Sequence, residues 1–332
     1  MSPEYEEGLV SVIIPTYNRA RFITEVLKSV AQQSYRPIEI IVVDDGSEDE
    51  TARVVKQWSQ THASDSSFTI RFFQQQNQGP GAARNHGLVK SSGEFIQFVD
   101  SDDVIHPEKL SIHVQRMKRT GCDYVWSPML EVPSPENSPS EWVREIDPTN
   151  VQGVKWGEAC ANKDLRLQVP ASFCVGLYHR SLSRKIGPMD EALSCWEDQE
   201  YQYRLMGTEG QFLYHKVPLY FHLGRDESRV SNKALTPSGI RSCLTVVDKG
   251  RRVFQSSQKL DEEDFTGQYM RLLRWSLAAG SRSTASICLS RLQSSHSTKT
   301  RLLSYALEFT LIVFGTRFAN RIFRIYSKLR GL

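Results

Sequence analysis

The segment at residues 94–106, EFIQFVDSDDVIH, decides how the rest of the chain is read. Phe95, Ile96, Phe98 and Val99 form a short apolar, β-rich run of the kind that fits a pleated, covered surface. The run stops at Asp100-Ser101-Asp102-Asp103. Three carboxylates at the C-terminal end of a strand repel one another and call for a positive partner. Oxygen-only ligands of this type suit a hard cation, Mn²⁺ or Mg²⁺, which would hold substrate phosphates as well. The same residues could instead form a solvated acidic turn that leads into the next helix, with Pro107 at its first position. The segments on either side decide between the two readings.

Upstream, LVSVII at 9–14 is a continuous apolar run, the pattern of a strand buried on both faces. It ends in Pro15-Thr16-Tyr17-Asn18-Arg19, and Phe22, Ile23, Val26, Leu27 and Val30 then recur at helical spacing. A second buried strand, IEIIVV at 38–43, ends in Asp44-Asp45-Gly46-Ser47. Ser47 and Glu50 read as a capping box for a helix running to about Trp58. FTIRFF at 68–73 reads as a third strand, followed by NQGPGAARNHGL, a Gly-rich turn into a helix that Pro80 stiffens. GPGAAR is not a dinucleotide fingerprint, because Arg84 takes the third glycine position and the segment does not follow the first strand. Strand–helix alternation implies an α/β fold with a mixed, mostly parallel sheet flanked by helices. In such sheets ligands bind beyond the carboxyl ends of the strands. The clusters at Thr16-Tyr17, Asp44-Asp45 and Asp100 to Asp103 all come after strands and are expected to meet in one crevice.

Downstream, Leu110, Val114 and Met117 mark another helix, and a strand is expected near Asp123 to Trp126. EVPSPENSPSEW at 131–142 has the Pro and Ser content of a surface loop. A β-rich piece at 171–178 precedes GPMDEAL and CWEDQEYQYRL, whose helical start lies at Glu197-Asp198. From about residue 236 the chain reads as helical. This pattern divides the chain into three regions: 1–127, 128–235, and a C-terminal helical extension over 236–332. The composition is that of a soluble protein, 39% hydrophobic and 24% charged. A net charge of +3 gives no reason to expect nucleic acid. The six cysteines lie far apart without a C-x-x-C pair, which argues against zinc and for reduced thiols in the cytoplasm. SPEYEEG at the start is too acidic for a signal peptide.

VSVIIPTYNR, IIVVDDGSEDET, NQGPGAARNHGL, GEFIQFVDSDD, GPMDEAL and WEDQEYQYRL occur in one order over residues 9–235. In these pieces the chain resembles a family 2 glycosyltransferase of the GT-A fold, a Rossmann-like architecture. The resemblance implies that Thr16, Tyr17 and Asp45 hold a nucleotide base and ribose, with Pro15 at the same edge and Asp44 beside them. It implies that Arg84 faces the pyrophosphate, that Asp100 and Ser101 adjoin the nucleotide-sugar, and that Asp100 touches ribose or metal. Asp102 becomes the principal metal ligand with Asp103 behind it, and Asp198 the general base. His222 lies where the family often has a polar residue near the metal or phosphates. The implied reaction is inverting and metal-dependent, with Mn²⁺ or Mg²⁺. Family frequency favours a UDP-linked donor, and the acceptor would be a glycan or lipid-linked. A processive synthase fits less well, since position 271 is Arg where a Q-x-x-R-W motif needs Gln. A non-catalytic sugar-nucleotide-binding regulatory module is the reading from another class; it should release no nucleoside diphosphate from any donor.

The C-terminal stretch LLSYALEFTLIVF at 302–314 is apolar but shorter than the roughly 20 residues that cross a bilayer. One reading buries it against the rest of the protein. After it, Arg317, Arg321, Arg324 and Lys328 fall on one helical face, with Phe318, Ile322, Ile325 and Leu329 on a neighbouring one. A basic amphipathic helix of this pattern can lie on an anionic membrane surface, which would make the protein cytoplasmic and peripheral on the inner face.

Overall fold

A computed structural model describes residues 5–131, 172–222, 235–257, 265–294 and 298–330. The expected loop at 131–142 therefore lies outside the described residues beyond Glu131. The chain divides into two compact units, Met1–Glu191 with Thr208–Arg225, and Ala192–Gly207 with Asp226–Leu332.

The larger sheet of the first unit has seven strands among the described residues. β1 (Glu6–Thr16), β2 (Ile38–Asp44), β3 (Phe68–Gln74) and β4 (Gly93–Phe98) are parallel and stand in the order β3-β2-β1-β4. The sheet continues through β8 (Gly176–His179), antiparallel to β4, to β6 (Tyr124–Trp126) and β9 (Phe212–Tyr214). A small sheet joins β5 (Asp103–Ile105), β10 (Tyr220–His222) and β7 (Met129–Glu131). Strands from both sides of residue 127 thus bond into one sheet. The sheet is flanked by α1 (Ile23–Ala31), α2 (Thr51–Thr61), α3 (Pro80–Lys90), α4 (Lys109–Thr120) and α5 (Arg180–Ile186). The apolar runs make these strands because both faces are covered: every residue of β2 and Gly8 to Thr16 of β1 are buried. α3 lies close on β1 because Gly87 has no side chain; a Cβ there would come within 2.4 Å of Ile13 Cγ2.

Two local expectations change. Ser47 does not cap a helix, because its hydroxyl is held by the Asp44 carboxylate and accepts the Asn18 N–H (2.9 Å). α2 starts at Thr51 instead, whose N–H donates to Asp49 Oδ1 (2.9 Å). Pro107 precedes rather than opens a helix, since α4 begins at Lys109 after Glu108.

The second unit contains α6 (Glu197–Gly207), α7 (Pro237–Ser257), α8 (Thr266–Ala278), α9 (Arg282–Gln293) and α10 (Thr298–Arg330). Leu244, Val247, Leu272, Leu289, Leu307 and Phe323 lie in their shared core. Asp248 on α7 ties in α8 through Tyr269 Oη (2.7 Å) and α9 through Arg291 (3.1 Å to each carboxylate oxygen). α10 bends at Gly315, whose φ of 78° is open to glycine and costly for other residues. Among the described residues no helix is long and apolar enough to cross a membrane.

One buried cluster in the first unit makes stability sensitive to pH. Lys109 Nζ donates to Gln97 Oε1 (2.8 Å) and adjoins His113 Nδ1 (3.3 Å), whose ring meets His215 edge-on at 6.0 Å. Both ring nitrogens of His215 lack a hydrogen-bond partner. Burial, then the charges of Arg116 and Lys109, push the His215 imidazole down to about 4. The unfolded chain takes up this proton near 6.5 and the folded chain only near 4, so the stability held above 6.5 is lost as pH falls through that window. His215→Phe should therefore flatten the fall of Tm between pH 6.5 and 4.5, and an unchanged slope would mean that His215 is already charged in the folded protein.

Candidate active site

Strand register builds the site. Thr16 at the end of β1 pairs with Asp44 at the end of β2, and Ile13 of β1 pairs with Phe98 of β4. Three neighbouring parallel strands therefore deliver Thr16-Tyr17, Asp44-Asp45 and Asp100-Ser101-Asp102 to the same edge.

The turn after β2 is held by its own carboxylates. Asp44 is fully buried; its Oδ1 accepts from the Ser47 N–H (3.1 Å) and hydroxyl, and its Oδ2 from Gln74 Nε2 (3.1 Å). Asp45 reaches across to the Gly-rich loop. Its Oδ1 accepts from Gln75 Nε2 (2.9 Å) and the Gln78 N–H (2.9 Å), and its Oδ2 from the Gly79 N–H (2.8 Å). Gly46 between this turn and that loop has φ 78°, and a Cβ there would lie 3.0 Å from the Asn77 nitrogen. Asp44 thus serves the turn, while Asp45 fixes the entry to α3, the helix that carries Arg84.

Arg84 is buried, lies 4.9 Å over the Phe173 ring and donates from Nη2 to Asp100 Oδ1 (2.8 Å). The Cys174 thiol adjoins the same oxygen at 3.4 Å, and burial pushes that thiol well above its ordinary pKa, so it stays protonated. The Asp100 N–H donates to Tyr220 Oη (3.1 Å). Asp102 lies 3.5 Å from Arg19 Nε. Asp103 is buried against β10, where its Oδ1 meets His222 Nδ1 at 2.6 Å. Burial, with the charges of Asp100 and Asp102, pushes the Asp103 carboxyl up to about 7 against the pull of the His222 hydrogen bond. Ser101 is buried within the turn, and Tyr17 is 41% exposed.

Sequence reading singled out Pro15, Thr16, Tyr17, Asp44, Asp45, Arg84, Asp100, Ser101, Asp102 and Asp103; the first unit carries Arg84 on α3 and the others at or just after the ends of β1, β2 and β4. It assigned no role to Arg19, although that residue closes the YNR segment, and none to Cys174 or Tyr220. The last two come from segments 74 and 120 residues away from Asp100.

Asp198 belongs to the second unit. Trp196 before it has φ 63°, a strained value for a bulky side chain, and packs edge-on to Trp275 at 5.9 Å. Of the three first-turn carboxylates of α6, Glu197 and Glu200 are buried, and Glu200 is forked by Arg204 at 2.8–3.1 Å. Asp198 is half-buried, and its Oδ1 accepts the N–H of Gln199 (2.7 Å).

The sequence profile described as Glycosyl transferase family 2 matches residues 11–187, more than half of the chain. The chain belongs to this family. It is 28% identical over 282 residues to the Bacillus subtilis protein named "Putative glycosyltransferase EpsH", covering 77% of this chain and 72% of that one. It is 38% identical over 109 residues to an uncharacterized glycosyltransferase of Rickettsia felis, where it spans 17% of the relative's length. A similar match, 38% over 109 residues and 34% of the relative, is to the Campylobacter jejuni GalNAc(5)-diNAcBac-PP-undecaprenol beta-1,3-glucosyltransferase. Among solved structures, Staphylococcus aureus TarS 1–349 in complex with UDP-GlcNAc superposes with a TM-score of 0.66 at 20% identity, covering 97% of this chain and 92% of that one. The mannosyltransferase PcManGT of Pyrobaculum calidifontis, in complex with GDP-Man and Mn²⁺, gives 0.53 at 17% identity, covering 97% and 86%. These likenesses show the GT-A fold of this family 2 chain.

The Thr16 hydroxyl is an anomaly in this site. It is buried, and its Oγ1 has no hydrogen-bond partner. A buried unpaired hydroxyl is costly, whereas an apolar group of the same shape is not. Thr16→Val should leave the ligand-free protein equally stable or raise it by about 1 kcal/mol in urea unfolding. A measurable loss of stability would show that the hydroxyl already has a partner in the free protein.

Proposed function

We propose that this chain is a metal-dependent, inverting glycosyltransferase that moves a sugar from a nucleoside-diphosphate sugar, UDP-linked, to a hydroxyl of a glycan or lipid-linked acceptor. The observation that carries this reading is the unpaired Thr16 hydroxyl at the strand edge shared with the Asp45 turn and the acidic turn after β4. A nucleotide would give that hydroxyl its partner. Tyr17 offers an exposed ring face to a base, Asp45 an acceptor to an imide or ribose hydroxyl, and Pro15 and Asp44 shape the same edge. The UDP-GlcNAc complex of TarS supports UDP, and the undecaprenol in the name of the Campylobacter relative supports a lipid-linked acceptor.

The donor set is consistent with a hard cation. Asp100 and Asp102 supply carboxylate oxygens only, and among the described residues no three metal-binding side chains form a ready cage. Mg²⁺ and Mn²⁺ are commonly held by one or two carboxylates together with substrate phosphates, which is what this turn offers. The Mn²⁺ in the PcManGT complex supports that assignment. In this reading Asp102 is the main ligand and Asp100 the second, with Ser101 closing the turn. His222 orients Asp103 beneath them and would serve the metal or phosphates from there. When bound, the cation supplies charge neutralisation to the leaving diphosphate.

Arg84 would add its guanidinium to the pyrophosphate, at the end of the donor that develops charge. Asp198 would take the proton of the acceptor hydroxyl as that oxygen bonds to the anomeric carbon. The bond from that carbon to the diphosphate oxygen breaks on the opposite face, so the configuration inverts and the nucleoside diphosphate leaves. The enzyme would work on the cytoplasmic side.

Calorimetric titration of a donor with and without Mn²⁺ tests the metal assignment: Asp102→Asn and Asp100→Asn should weaken metal-supported binding, and equal affinities in all three proteins would remove it. Thr16→Val should weaken donor binding about five- to tenfold, the worth of one hydrogen bond. Asp198→Asn should leave donor affinity intact and slow transfer by about a hundredfold to ten-thousandfold. Turnover near that of the wild type would reduce Asp198 to a helix-terminal residue.

A further inference from the structure

α10 carries an apolar ridge that its own unit leaves exposed. Leu302, Tyr305, Phe309 and Ile312 are 65%, 56%, 66% and 60% exposed. Their spacing of three, four and three residues puts them on one stripe of the helix. The opposite side, with Ser304, Leu307 and Leu311, is buried in the helical core. Isolated exposed apolar side chains are ordinary on protein surfaces; four large ones in a single stripe mark an interaction surface.

The charge on α10 is almost all positive. Arg301 adjoins the ridge and is exposed. Beyond Gly315 the helix presents Arg317, Arg321 and Arg324, with Ile325 (55% exposed) beside them, while Ala319 and Phe323 turn into the core. Glu308 is the single acidic residue between 298 and 330, and Gln293 on α9 donates to its carboxylate. A second copy would bring the same excess of arginines and a single carboxylate, with no surplus of negative charge to meet them. An anionic lipid surface compensates them and also accepts the ridge.

We propose that the exposed side of α10 lies against an anionic membrane, with Leu302, Phe309 and Ile312 before the Gly315 bend at the acyl boundary and the arginines after it among the headgroups. Tyr305, with an apolar ring and a polar hydroxyl, suits the level between the two. The ridge does not depend on what the strand-end site binds, so it stands or falls apart from the transfer reaction.

Flotation of the full chain tests it, using vesicles of equal parts phosphatidylglycerol and phosphatidylcholine against phosphatidylcholine alone, at low and high salt. The wild type should float with the anionic vesicles and less so as salt rises. Phe309→Glu with Ile312→Glu should abolish flotation at every salt concentration. Arg317→Gln, Arg321→Gln and Arg324→Gln together should lower partitioning about a hundredfold at low salt, the equivalent of about 1 kcal/mol for each cation. An unaltered thermal melt checks that the variants fold. The proposal is overturned if the wild type stays unbound with anionic vesicles at low salt, or if the two glutamates leave flotation unchanged. It is equally overturned if light scattering shows a dimer that the glutamates split while neither protein floats, since a second copy then covers the ridge.

Discussion

Carboxylates collected at the ends of neighbouring strands must each be compensated, and this constraint shapes the sheet unit. Asp44 and Asp45 are met by backbone N–H groups, a hydroxyl and glutamine amides. Asp100 is met by Arg84 and Asp102 by Arg19. Asp103 is buried against His222. Each arrangement fixes a different segment. Asp45 sets the Gly-rich loop and hence the start of α3, α3 places Arg84, and Arg84 holds the acidic turn through Asp100. The turn is thus organised before any ligand arrives, which spares a bound donor the cost of ordering it.

In the proposed reaction the two chemical tasks fall to different residues. Neutralisation of the diphosphate belongs to the sheet unit, where the charges sit on strand ends and a buried arginine. Proton removal belongs to the first turn of α6, after a tryptophan in a left-handed conformation that the surrounding helical core sustains.

The parallel sheet and its strand-end clusters were legible because buried parallel strands are continuous apolar runs, and the residues just after each run must lie at the same edge. The polar partners were less so. Cys174 and Tyr220 reach Asp100 only through strand pairings far along the chain, and local pattern carries no trace of them. Ser47 satisfied the letter of a capping box, yet a nearer acceptor, the Asp44 carboxylate, takes its hydroxyl. In the tail, Arg317, Arg321 and Arg324 are exposed as periodicity expected, the side chains of Phe318, Lys328 and Leu329 lie outside the described residues, and the exposed apolar stripe was not foreseen. Residues 302–312 are apolar on both sides of the helix, and only packing decides that Leu307 and Leu311 go inward while Leu302, Tyr305, Phe309 and Ile312 stay out. Ile322, expected on an outward apolar face, instead packs against the core.

The central claim is that three strand ends form a nucleotide-sugar site completed by a divalent cation. A thermal-unfolding screen of the full chain against UDP-, GDP-, dTDP- and CMP-sugars, each with and without Mn²⁺, tests it most directly, since a ligand that binds only the folded state raises apparent stability by about 2.7 kcal/mol at a hundred times its Kd. The account predicts a rise in Tm with a UDP-sugar that needs Mn²⁺. No rise with any sugar nucleotide at millimolar concentration in the presence of Mn²⁺ would contradict it.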